Sequence, residues 1–195
     1  MRGPRATVPQ AAMTEQRRGI TLIGMPGAGK STVGVLLSKR LGLDFLDTDL
    51  AIQVREGRSL QQIVDSEGYL RLREIEEAVL LGIDPHGRVI ATGGSAVYSD
   101  AAMHHLAAGS TVVFLDVAPE ELRRRIRDYD TRGIARRPDQ CFDELFAERS
   151  RLYRRYAEIR VDCAGLVQED VLERVVAALL SRGDSAAART ASSSP

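Results

Sequence analysis

Eight residues, Gly24-Met25-Pro26-Gly27-Ala28-Gly29-Lys30-Ser31, match G-x-x-x-x-G-K-[ST] in full and follow directly on the apolar run Ile20-Thr21-Leu22-Ile23. Strand, glycine loop and helix in that order are the setting of a nucleoside-triphosphate phosphate loop, so the chain must build a sheet with helices packed on it. Glycines at 24, 27 and 29 let the backbone curl until successive N–H groups point inward at phosphate oxygens. The helix that opens near Lys30 adds its partly positive N-terminus. Gly27, Ala28, Gly29, Lys30, Ser31 and Thr32 are therefore the predicted ATP or GTP contacts, with Lys30 on the β and γ phosphates and Ser31 on a magnesium ion. Only Lys30 and Lys39 break an otherwise all-arginine usage of basic residues, which makes Lys30 stand out as chemically chosen.

Short apolar strands alternate with longer helical patterns along the rest of the chain. Strands are predicted at 20–23, 44–46, 88–92, 111–115 and 159–162, and helices at 30–41, through 67, at 69–81, 100–107, 119–127, 142–156 and 169–181. This alternation predicts an α/β fold, a parallel sheet covered on both faces, with ligands at the carboxyl ends of the strands. Residues 1–18 and 183–195 lack periodicity and are rich in small and polar residues, so they are expected to be disordered tails around one domain at 19–182, with Met13 as an alternative start.

With 27 basic and 27 acidic residues, the chain has no global field favouring nucleic acid or a membrane surface, and a small-molecule partner is expected. Cys141 and Cys163 form no C-x-x-C pair, which argues against a disulfide framework or zinc site and fits a reducing cytoplasm. No apolar run is long enough to span a bilayer. The expectation is a cytoplasmic monomer.

Five further groups carry chemistry. Asp47 and Asp49 sit two apart after the second strand, so both carboxylates can face one cleft, one for the metal and one for an acceptor; the competing reading is a helix cap and a solvated neighbour. Arg73 and Glu76 share a helix face, either as a surface ion pair or as an arginine held by a glutamate to receive a carboxylate. Arg149 lies in the apolar stripe Leu145, Leu152, Tyr156 and needs an anionic partner there, unless it snorkels to solvent. Gly93 and Gly94 end the third strand where a ligand can approach the backbone, and the polar stretch 128–140, with Arg132, Arg136 and Arg137, reads as a lid or a solvated connection.

Together these residues resemble the shikimate kinases: GMPGAGKSTVG for the phosphate loop, then LDTD, LREIEE, TGGSAV, TVVFLDV and ERSRLYRRYA, in matching order and spacing over nearly all of 19–182. The resemblance implies a nucleoside-monophosphate-kinase-like, P-loop kinase fold, three layers with a five-stranded parallel sheet in order 2-3-1-4-5 and a mobile lid. It implies transfer of the ATP γ-phosphate to the 3-hydroxyl of shikimate. By position Asp49 is similar to the family aspartate on the shikimate hydroxyls, Asp47 and Ser31 to the magnesium side, and Arg73 with Arg149 to the carboxylate-binding pair. Gly93 and Gly94 fall in the substrate wall, Arg132 at the lid arginine and Arg124 near the nucleotide base. The chain departs from the family pattern at Ser95, where a third glycine is usual; at Gly133-Ile134, where Pro-Leu usually follows the lid arginine and Arg136-Arg137-Pro138 competes in the alignment; and at 163–166, which lacks a proline. Ser95 is expected to narrow the acceptor pocket or to donate a hydrogen bond to the substrate. The alternatives to shikimate are gluconate, homoserine or a nucleoside monophosphate as acceptor, or a non-catalytic ATP-sensing module.

Overall fold

The computed structural model describes residues 17–126 and 133–191, with 183–191 as backbone only. Five parallel strands, β1 (Gly19–Ile23), β2 (Asp44–Asp47), β3 (Arg88–Ala91), β4 (Ser110–Asp116) and β5 (Ile159–Asp162), form one sheet in the order β2-β3-β1-β4-β5. The expected α/β fold and strand order are both present. Central strands covered on both faces must be apolar throughout, and β1 and most of β4 are buried at every position. The main core gathers Leu22, Ile23, Val33, Leu37, Ile90, Val113, Phe114, Leu145 and Val175 from the sheet and both helix layers.

Among the described residues seven α-helices flank these strands: α1 (Lys30–Leu41), α2 (Thr48–Glu56), α3 (Leu60–Leu81), α4 (Asp100–Gly109), α5 (Pro119–Arg125), α6 (Phe142–Tyr156) and α7 (Gln168–Ala191). Local chemistry fixes their starts. Asp47 accepts from the N–H groups of Asp49 and Leu50 at the head of α2, Ser59 and Gln62 form a reciprocal capping box on α3, and Pro119 opens α5. Gly68 breaks α3 with φ 85°, at the point where the sequence pattern separates two helical stretches. A second, small core of Ile52, Ile63, Leu72, Ile75 and Ala135 ties α2 and α3 to the segment that precedes α6.

Two expected boundaries move. Arg17 and Arg18 belong to the folded body: the Arg17 carbonyl accepts from Gly87 N at 2.7 Å, and Arg18 donates to the carbonyls of Ala107 and Ser110 at 2.9 Å each. At the other end α7 continues to Ala191, past the expected limit at 182; serine and alanine there carry no proline to stop a helix already running. Residues 1–16 and 192–195, the remainder of the expected tails, lie outside the described residues, as do 127–132 with Arg132. Among the described residues no helix is long and apolar enough to cross a membrane.

Candidate active site

The phosphate loop leaves β1 through Gly24 (φ 147°), Gly27 (φ 81°) and Gly29 (φ 91°), conformations that side chains resist. It delivers Lys30 to the first position of α1, where its ammonium is buried and donates to the carbonyls of Gly24 at 2.8 Å and Met25 at 2.9 Å. Burial lowers the Lys30 pKa to about 8, the carboxylates of Asp49 and Asp47 opposing the fall. Beside it the Ser31 hydroxyl donates to Asp47 Oδ2 at 2.5 Å, while Asp47 Oδ1 caps α2. Asp47 is thus the helix cap of the competing reading, and its second oxygen meets the Ser31 hydroxyl.

A cavity of about 330 Å³ opens over this loop, lined among others by Gly29, Lys30, Ser31, Thr32, Asp49 and Arg125. A second, of about 50 Å³, adjoins it and is lined by Asp49, Glu76, Gly94, Ser95, Ala135 and Arg149 among others. Asp49, Pro26 and Gly94 belong to both walls. Two cavities meeting at one carboxylate are what in-line transfer between two bound substrates requires.

Backbone packing explains the glycines at the end of β3. A Cβ on Gly93 would stand 2.2 Å from Glu76 Oε1 and 2.7 Å from Asp49 Oδ1, and one on Gly94 would stand 2.7 Å from Arg149 Nη1. The Gly93 N–H donates to the buried Thr48 hydroxyl at 2.9 Å, tying the end of β3 to the start of α2.

Arg73 and Arg149 converge from α3 and α6 on a single oxygen. Both Nη2 groups donate to the Ala135 carbonyl, at 3.1 Å and 2.8 Å. Arg149 is 1 % exposed; burial works against its charge, but Tyr153, Tyr98 and Glu76 keep its pKa above the ordinary arginine value. The expected hold of Glu76 on Arg73 is absent. Glu76 instead turns to Ser95, whose hydroxyl donates to its Oε2, and leaves Oε1 buried without a hydrogen-bond partner. Burial, reinforced by Asp49, pushes the Glu76 carboxyl up to about 7. Ser95 thus spends its hydroxyl on Glu76, where a bond to substrate was one expectation.

The match to the family model described as "Shikimate kinase" spans residues 26–180. A shikimate kinase of Mycobacterium avium is 45 % identical over 144 residues, 72 % of this chain and 81 % of that one. The chain belongs to the shikimate kinase family. Among solved structures, the shikimate kinase of Acinetobacter baumannii in complex with shikimate superposes with a TM-score of 0.78 at 29 % identity, covering 86 % of this chain and 96 % of that one. The Aquifex aeolicus shikimate kinase gives 0.72 at 34 % identity, with 84 % and 97 % covered. The chain is therefore an ATP-dependent kinase, and the readings as a sensing module or a kinase of another metabolite fall away.

On the nucleotide side the structure brings in residues that sequence reasoning passed over. Arg124 is exposed on α5, whereas Arg125 lines the phosphate cavity and donates to the Gly27 carbonyl at 3.4 Å. The buried pair Leu122 and Ile126 sets that register, and their four-residue spacing was the signal available. Gln168, at the head of α7, packs over Gly29, and Tyr98 packs against both site arginines; neither lies in a motif that marks it.

Proposed function

We propose that this chain phosphorylates the 3-hydroxyl of shikimate with Asp49 as the group that orients that hydroxyl and takes its proton. The observation that carries the reading is the convergence of Arg73 and Arg149 on one backbone oxygen, beside a cavity that shares Asp49 with the phosphate site. The Ala135 carbonyl stands in for a carboxylate oxygen of the acceptor. Two guanidinium donors on a carboxylate fix one end of a ring, and Asp49 then meets a hydroxyl at the other.

Lys30 leaves its carbonyl partners for the β and γ phosphates, and Arg125, in place of Arg124, takes the nucleotide side of the cleft. Arg132 keeps the lid role that the resemblance gives it. Ser31 and Asp47 offer a hydroxyl and a carboxylate, hard oxygen donors suited to magnesium beside a phosphate site, and they would hold it. When bound, the ion neutralises phosphate charge. Phosphoryl transfer passes through a loose transition state, so the chain's own contribution is position and positive charge, with Asp49 accepting the proton late. Gly93 and Gly94 let the substrate ring lie close to the backbone. Free cysteines suit a reducing cytoplasm, where the chain acts as a monomer.

ADP release with ATP, magnesium and a panel of hydroxy acids tests the acceptor. Shikimate should lead; another acid turned over a hundredfold better overturns the reading. Arg149→Ala should weaken shikimate roughly tenfold to a hundredfold and spare ADP, since a charge-assisted bond is worth about 1.5–3 kcal/mol; equal loss for both ligands contradicts the assignment.

A further inference from the structure

Ser95 is followed by a short 3-10 turn, Ala96–Tyr98, which places the Tyr98 ring against both site arginines. The guanidinium carbon of Arg73 stands 3.5 Å from the ring centroid and that of Arg149 stands 5.5 Å from it. We propose that Tyr98 is a positioning residue for the acceptor site, its ring face holding the two guanidinia in place while leaving their in-plane N–H donors to a carboxylate ligand. The proposal rests on the assignment of Arg73 and Arg149 to the acceptor carboxylate.

The need for such a residue follows from charge. Two guanidinia that share one oxygen repel each other, and Arg149 pulls the Arg73 pKa down after burial has already done so. Neither forms an ion pair with a described carboxylate; Glu76 and Glu148 act on them only at longer range. A protein carboxylate placed against them would settle the charge but would consume the donors a substrate needs. An aromatic face attracts a cation through its quadrupole and meets the flat side of a guanidinium, so the donors at its edge stay available. Both Nε atoms are buried without a hydrogen-bond partner, in keeping with a site whose donors await a ligand. Tyr69 adds a second ring, 5.1 Å from the Arg73 guanidinium, but none to Arg149; Tyr98 alone of the described rings serves both.

The ring and not the hydroxyl carries this role. Tyr98 Oη is buried and meets no partner in good hydrogen-bond geometry, although Glu148 and Arg149 stand close enough to shift its acidity as side-chain hydrogen-bond partners. Removing that oxygen should cost little. Removing the ring should loosen both arginines at once.

The test measures kcat and KM for shikimate and for ATP separately on the full chain. Tyr98→Phe should stay within about twofold of the wild type. Tyr98→Leu should raise the shikimate KM at least about fivefold while leaving the ATP KM in place. A series of fluorinated phenylalanines at position 98 keeps size and drains the ring quadrupole, so the shikimate KM should climb with fluorine count. That series decides the matter if Tyr98→Leu fails to fold. A flat series, a Phe variant as poor as Leu, or parallel loss of ATP affinity overturns the proposal. Arg149→Ala serves as the control: an unchanged shikimate KM there overturns the arginine assignment and this proposal together, whereas a large loss beside a flat Tyr98 series overturns only the role of the ring.

Discussion

Lys30, set by the proposed function on the β and γ phosphates, is held in a buried position that lowers its pKa. With its pKa near 8, it is largely neutral at pH 9 in the empty enzyme, and the polyphosphate of ATP restores its charge. ATP binding should therefore take up a proton above about pH 8 and none at pH 6.5; calorimetry in buffers of different ionisation enthalpy reads this directly. Lys30→Met should abolish the uptake and lower kcat at least about a hundredfold with an unchanged circular dichroism spectrum. Glu76 gives the opposite dependence in stability. Its carboxyl releases a proton near the ordinary 4.5 when unfolded but only near 7 when folded, so the folded state binds more protons between those values and stability falls as pH rises through that window. Glu76→Gln should flatten the Tm profile between pH 4.5 and 7 and raise Tm at pH 8. At this scale the sequence gives residue types and helix faces, and it places Asp49, Arg149 and Lys30 at cavity walls. It does not give partners: Glu76 chose Ser95 over Arg73, three residues away on its own helix, because the end of β3 arrives against its buried face.

Among elements, the start of α2 does two jobs through one residue. Asp47→Ala removes the cap, worth about 1 kcal/mol, and should lower Tm by roughly 2–4 °C for a chain of this size. It should also raise the magnesium concentration needed for half-maximal rate. Asp47→Asn, which keeps a capping oxygen, should recover the Tm and not the magnesium response. The junction of β3 with α2 is tighter still. Gly93→Ala forces a Cβ against Glu76 and Asp49 and should cut turnover at least about tenfold, with ADP affinity preserved because the phosphate loop is untouched. These elements were legible because buried parallel strands are continuous apolar runs and because the capping residues stand in the sequence. The length of α7 was not, since Gly183 reads as a stop and the helix runs through it to Ala191, with no proline on the way to end it.

Across the whole molecule, the proposed acceptor site is assembled from the phosphate loop, α2, α3, the end of β3, α6 and the segment before α6, so its walls come from residues as far apart in the chain as Pro26 and Arg149. The order of the sheet brings the ends of β1, β2 and β3 together, and that order was available through the family resemblance, not through periodicity, which cannot rank strands. What no sequence pattern announced is that Ala135 presents its carbonyl to both arginines. This oxygen makes the empty enzyme comfortable: the buried Arg149 and the half-buried Arg73, which would otherwise weaken the resting fold, already have a partner. An acceptor-site ligand must evict that partner before it gains anything, so the rise in melting temperature on binding reflects only the difference between the two. Shikimate should accordingly bind more weakly than two free guanidinia would hold it, and its melting-temperature rise should follow RT ln(1 + [L]/Kd) with the Kd that titration reads, since both carry the cost of displacing the same carbonyl.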